Sequence, residues 1–124
     1  MKKVQFLAIG RNPVVLQKLL RFINENPEWE ANGTVDDESA IIIFNQKEIH
    51  VVVWVDELSA ASETRLATAF KEKAPEIIFI HHYGDSTGLL AWEIQEAFTQ
   101  NNFDAKALNV VDEKNDAAPD AKNG

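Results

Sequence analysis

Apolar positions along the chain fall into two patterns that alternate. Short dense runs occur at Val4 to Ile9, Val51 to Val55 and Ile77 to Ile80. Runs of this length, rich in β-branched residues and bounded by turn residues, predict strands. Val51 to Val55 is apolar at every position, as a central parallel strand covered on both faces should be. Between the runs, apolar residues recur every three or four positions. Val15, Leu16, Leu19, Leu20 and Ile23 form one stripe. Leu66, Ala69 and Phe70 form another, and Leu90, Ile94, Ala97 and Phe98 a third. That spacing places each set on one face of a helix.

Local signals mark where these elements start and stop. Asn12 suits a helix N-cap and Pro13 the first helical position, while Asn26-Pro27 ends that helix. Trp29 to Val35 predicts a weaker second strand. Asp36, Asp37 and Glu38 place acids where a helix N-terminus favours them. A short helix is predicted over Ala40 to Asn45, although Ile41 to Phe44 also has strand propensity. Ser59 caps the next helix, Lys71 and Lys73 suit its C-terminal end, and Pro75 stops it. Gly84-Asp85-Ser86 turns the chain before the last strong helix. Ala105 to Val111 predicts a fifth strand. Asp112 to Gly124 has no periodicity and predicts a disordered polar tail. The chain thus divides into an α/β domain over 1–111 and a tail over 112–124. Strands alternating with helices imply right-handed crossovers and a three-layer α/β sandwich.

Composition narrows the function classes. The 124 residues suit one domain with one core, and 45% are hydrophobic, too many for a disordered chain. No apolar run approaches the roughly 20 residues of a membrane helix. Met1-Lys2-Lys3 is not followed by a signal-peptide pattern. A net charge of -8 opposes direct nucleic-acid binding and binding to an anionic membrane. Cysteine is absent, which excludes disulfides and thiolate chemistry. A cytoplasmic location is the default expectation.

Few side chains form a chemical motif. The chain has no Gly-x-Gly-x-x-Gly and no phosphate loop ending in Gly-Lys-Ser/Thr. Ser59, Ser62 and Ser86 lack a nucleophile elbow and read as caps or surface residues. His81 and His82 are neighbours on a strand, so they point to opposite faces and cannot chelate one metal together. His50 is expected at the opposite sheet edge. No metal and no cofactor are predicted. Trp29, Trp54 and Trp92 read as packing residues, and Trp92, which lies off the main stripe of its helix, is also the candidate exposed anchor.

Order and spacing along residues 3 to 110 resemble a response-regulator receiver domain. Asn12-Pro13-Val14-Val15-Leu16 resembles the Asn-Pro opening of that family's first helix. Asn24 to Glu30, Gly33 to Ala40, Val51 to Asp56 and Ile77 to Asp85 resemble successive later segments. The resemblance implies a flavodoxin-like five-stranded parallel sheet of order 2-1-3-4-5. It also implies a phosphoacceptor aspartate at the end of the third strand, for which Asp56 is the candidate. An offset of one residue would put Val55 there instead and turn Asp56 away.

Several parts of the family's site are altered. Two acids that hold a metal at the end of the first strand are replaced by Gly10 and Arg11. His81 stands where a Ser or Thr ends the fourth strand. The lysine ending the fifth strand has no match, because Ala107 to Val111 closes on apolar residues and Lys106 lies at the wrong end. The fifth helix that packs beside the first is missing from the pattern. If so, one sheet face is thinly covered. Either it is an interface for a homodimer or a docked partner, or the first helix shifts to cover it. Arg11, Asp56 and His81 are expected to converge at the C-terminal sheet edge, where Arg11 and Asp56 could pair.

Three functions follow. The first is a non-enzymatic, receiver-like signalling or protein-interaction domain without the acidic metal site. The second is a working receiver phosphorylated at Asp56. The third is a small-ligand or nucleotide-binding flavodoxin-like domain.

Overall fold

A computed structural model describes residues 2–104. Eight elements alternate along it: β1 (Val4–Ile9), α1 (Pro13–Asn24), β2 (Trp29–Thr34), α2 (Asp37–Gln46), β3 (Val51–Val55), α3 (Ala60–Lys73), β4 (Ile78–His82) and α4 (Thr87–Gln100). The strands form a parallel sheet of order β2-β1-β3-β4. This is the expected flavodoxin-like order, with four strands among the described residues. The predicted fifth strand, 105–111, and the polar tail, 112–124, lie outside the described residues.

Local chemistry accounts for the helix starts. Asn12 Oδ1 accepts from the Val14 and Val15 amides, with Pro13 at the first helical position. Asp36, Ser59 and Ser86 cap α2, α3 and α4 in the same way. The segment around Ile41 to Phe44 is helical, as expected, and α2 starts earlier than predicted because the Asp36 cap and the first-turn acids Asp37 and Glu38 define its N-terminus. β4 runs to His82, two residues beyond the apolar run, because Val55 pairs with His82 in the ladder.

The core has two halves, one on each sheet face. Val4, Phe6, Ala8, Val51, Val53, Val55, Ile78 and Ile80 face α1 and α4, where Leu16, Leu19, Ile23, Leu90 and Ile94 cover them. Leu7, Ile9, Val52 and Trp54 face α2 and α3 against Phe44, Leu66 and Phe70. Phe44 stacks on Phe70 at 4.2 Å, and Trp54 stacks on Phe79 at 5.4 Å.

The expectation of a thinly covered face is corrected here. The fourth helix takes the place beside α1 that the resemblance gives to a fifth. Leu90 and Ile94 are fully buried, and Phe98 reaches Phe6 and Trp29. Cover for this face is therefore supplied by α4, and α1 did not need to shift.

Among the described residues, β2 lies at the sheet edge beside β1. Val4 and Gly10 donate to Glu28 and Thr34 carbonyls, so Trp29, Ala31 and Gly33 turn their main-chain groups outward. Asn24 meets Ala31 with its carboxamide: the Ala31 amide donates to Oδ1 at 2.8 Å, and Nδ2 donates to the Ala31 carbonyl at 3.1 Å. Trp29 donates to the Asn26 carbonyl. A side chain thus closes much of the β2 edge. No helix among the described residues is long and apolar enough to cross a membrane.

At the opposite, N-terminal end of the sheet, His50 is part of the ladder, as its expected position implies. Its amide donates to the Gln5 carbonyl, and the Gln5 amide donates to its ring Nδ1 at 2.9 Å. Burial holds the ring pKa below its ordinary 6.5, against a smaller opposing effect of Glu48. Protonation would also replace the acceptor by a donor facing another donor. Below that ordinary value the unfolded chain binds more protons than the folded one. We therefore expect stability from this residue to be complete above pH 6.5 and to fall as pH drops toward the lowered folded value. Urea unfolding between pH 7.5 and 5 measures this slope. His50→Asn keeps an acceptor oxygen near Nδ1 and should remove the His50 part of it.

Candidate functional site

The C-terminal sheet edge is where open α/β sheets present their loops. Here the ends of β1 and β3 come together, and the contact between them is apolar. Gly10 is buried against Val55. A Cβ added at Gly10 would lie 2.7 Å from Val55 Cβ and 3.2 Å from Cγ1, so only glycine fits without movement. Val55 is the last residue of β3 and is buried. Asp56 lies one residue beyond the strand, with a left-handed φ of 57°. Asp and Asn tolerate this conformation better than most residues.

Main-chain and side-chain bonds fix Asp56. Its amide donates to the His82 carbonyl at 2.7 Å, and its Oδ1 accepts the Gly84 amide at 2.8 Å. The carboxylate therefore joins the β3–α3 loop to the β4–α4 loop. Gly84 itself has φ of 85°, a conformation that favours glycine.

The expected pair of Arg11 with Asp56 does not form. Arg11 reaches instead across the mouth of β2. Its guanidinium donates to the Val35 carbonyl at 2.7 Å, to Asp37 Oδ1 at 2.8 Å and to Ser62 Oγ at 3.4 Å. Arg65 donates to Asp37 Oδ2 at 3.2 Å. Two arginines thus grip one carboxylate, which is only 14% exposed. Hydrogen bonds from Ser62 and then Arg11 hold the Asp37 carboxyl below the usual carboxylate range. The planar guanidinium of Arg11 suits this, donating from one nitrogen to Val35 and from another to Asp37.

His81 does not join Arg11 and Asp56 either. It sits on the α3 side, where Nε2 lies 2.7 Å from Glu63 Oε2 and the ring lies against Trp54. His82 points to the other face, as strand alternation requires. It is fully buried, with Nδ1 2.6 Å from Glu93 Oε1. Arg11 and Asp56 do share an open cleft of about 450 Å³ with Asn12, Pro13, Val55 and Glu57. Among the described residues, no three His, Asp or Glu side chains gather as a metal-holding group. Trp92 is 61% exposed on α4, so it is not a core residue.

Solved structures with this geometry are receivers. The signal receiver domain of an HD domain-containing protein from Pseudomonas fluorescens Pf-5 superposes with a TM-score of 0.68 at 13% identity, over 83% of this chain and 100% of that one. A response regulator receiver protein from Pseudomonas putida gives 0.57 at 17% identity, over 78% and 81%. The receiver domain of a Saccharomyces cerevisiae response regulator, solved with a histidine phosphotransfer signaling protein, gives 0.57 at 12% identity, over 77% and 92%. The fold is that of a response-regulator receiver domain. No protein-family model matches the sequence. No curated protein matches it at a significant level.

Within this receiver fold, the sequence pointed to Gly10, Arg11 and Asp56 but not to their partners. Asp37 read only as a helix-start acid, and Ser62 as a surface residue. Arg11 and Asp37 are 26 positions apart, so no local period links them. Glu63 and Glu93, which hold the two histidines, carried no signal beyond lying on helices one turn or more past a cap.

The Gly10 contact makes a strong prediction. Gly10→Ala should destabilise the fold by about 1–3 kcal/mol through overpacking. Combining it with Val55→Ala should cost less than the sum of the two single changes, and a double-mutant cycle by urea denaturation measures the difference. The Asp37 clamp makes another. Asp37 is ionised more readily in the folded chain, so its contribution is present above its ordinary 3.8 and is lost as pH falls through the lowered value. Asp37→Asn should cost roughly 1 kcal/mol at pH 7 for partly exposed partners. It should cost less in acid, where the native carboxyl is itself protonated.

Proposed function

We propose that this chain is a non-enzymatic, receiver-like protein-interaction domain whose acceptor site is silent. The observation that carries it is the packing of Gly10 on Val55. An apolar contact fills the place where a receiver would gather carboxylates around a metal. Phosphoryl transfer to a carboxylate needs Mg²⁺ to offset charge on acceptor and donor, and Mg²⁺ requires several oxygen ligands in octahedral geometry. The residues here do not fit that ion. Gly10 has no side-chain ligand, and a side chain there would strike Val55. Arg11 is a permanent cation whose guanidinium is committed to Asp37. Asp56 is turned into a loop and already accepts the Gly84 amide.

What remains is a rigid frame with its loops fastened. Asp56 and the Arg11 clamp each tie two loops together without an exogenous group. Such a frame suits constitutive binding better than switching, because no described group at the site has an alternative partner that a phosphoryl group would supply. A yeast receiver of this fold was solved with a phosphotransfer protein, and a protein partner is the occupant we assign here.

Amide NMR of the full chain tests this directly. Addition of Mg²⁺ and then beryllofluoride should leave the spectrum unchanged. Asp56→Asn should also keep the fold, since the amide oxygen still accepts from Gly84. Ligand-dependent shifts at Arg11, Asp56 and Gly84 that vanish in Asp56→Asn would show a working phosphoacceptor and overturn the proposal.

A further inference from the structure

The two helices that cover one face of the sheet carry opposite charge. α1 and α4 pack on the same face and start at the same sheet edge, where Lys18 meets Asp85. α1 has Lys18 and Arg21 and no acid, whereas α4 has Glu93 and Glu96 and no base. The other layer shows no such division, since α3 alone mixes Glu63 and Glu72 with Arg65, Lys71 and Lys73. Among the described residues, the large apolar side chains exposed on helices are Val14, Leu89 and Trp92 on the α1–α4 layer and Ile42 on the other.

Not all of these charges are spent inside the chain. Glu93 is taken by the buried His82, and Lys18 holds Asp85 in an exposed pair at 3.3 Å. Arg21 is exposed and makes no ion pair among the described residues. Glu96 only accepts from Gln100 at 3.5 Å. Trp92 lies on α4 opposite Leu90 and Ile94, which are buried, so its ring faces away from the sheet. An uncommitted arginine and an outward tryptophan are the residue types that most often carry binding energy.

Symmetry selects the occupant. A two-fold axis normal to this layer lays α1 of one copy antiparallel on α4 of the other, twice over. In such an isologous contact a basic helix beside an acidic one is its own complement. Overlap along the full length of both helices brings Arg21 opposite Trp92 and Lys18 opposite Gln95 and Glu96. A guanidinium over an indole face is attractive. A protein of another sequence would have to match both signs at this spacing, which a second copy does without further requirement.

Resting on the assignment of this chain as a protein-binding domain, we infer that its partner is a second copy, docked through α1 and α4 in an isologous dimer. Arg21 of each copy stacks on Trp92 of the other, and Lys18 exchanges Asp85 for Glu96. Two helices of this length make a platform of roughly 20 by 20 Å, the size of a reversible contact and not of an obligate one. A net charge of -8 on each copy opposes approach, so the dissociation constant is expected on the order of micromolar or above.

Sedimentation of the full chain at physiological ionic strength, from micromolar to millimolar, should show the mass doubling and no larger species. Isotope-filtered NMR on mixed labelled and unlabelled protein reads contacts between copies alone, and should connect the Trp92 ring with the Arg21 side chain. Arg21→Glu and Trp92→Lys, both exposed changes, should each weaken the dimer at least tenfold while the amide spectrum of the dilute chain keeps its dispersion. Lys18→Glu and Glu96→Lys should each weaken it at least threefold. The variant carrying both should recover the original affinity, because only contact of α1 with α4 of the other copy restores the pair. Three results would overturn the inference. A monomer at millimolar concentration would leave this face to a different protein. A dimer that survives Arg21→Glu and Trp92→Lys would use another surface. A Trp92 indole shielded from a paramagnetic cosolute in the dilute chain would be covered by its own chain. Failure of the silent-site proposal would appear separately, as beryllofluoride shifts at Asp56 in a chain that still dimerises through α1 and α4.

Discussion

Every layer of this molecule is arranged around β3, which is buried at all five positions and must be covered on both faces. A strand of valines and one tryptophan has no polar side, so helices are required above and below it. α2 and α3 cover one face, and α1 and α4 the other. With four helices among the described residues, this requirement is met by α4 on the α1 face. That helix lies beside α1, where Leu90 and Ile94 close the core.

The same strand shapes the loop edge. Because β3 stays apolar to its last residue, its end meets β1 through a valine and a glycine. The first charged residue, Asp56, comes too late to point back into the sheet and is held by main-chain geometry in a neighbouring turn. Arg11 likewise follows the strand. It is drawn to the carboxylate at the start of α2, where a second arginine and a serine complete its surroundings. Charge balance at this edge is thus achieved laterally, between loops, and the contact between β1 and β3 is left to Gly10 and Val55.

Much of the architecture was legible in the sequence. Strand runs, caps and helix stripes are consequences of near neighbours, and Val4 to Ile9, Asn12, Ser59 and the Leu90–Ile94 stripe fall where their local chemistry puts them. The opposite directions of His81 and His82 also follow from strand alternation alone. What could not be read were contacts between distant segments. Nothing near Arg11 indicates that its guanidinium prefers Asp37 to Asp56, since the choice depends on how far each loop projects. The face chosen by α4 was equally hidden, because an amphipathic stripe reports that a helix packs and says nothing of which side of the sheet it packs on.

Asn24 has a consequence for how this protein behaves at high concentration. A sheet that could add strands at both ends could in principle grow without limit, each copy extending the last. Here a carboxamide occupies the outward main-chain groups of Ala31, which hinders addition at the β2 end. An incoming strand at β2 would first have to break both bonds of one side chain at the end of the first helix.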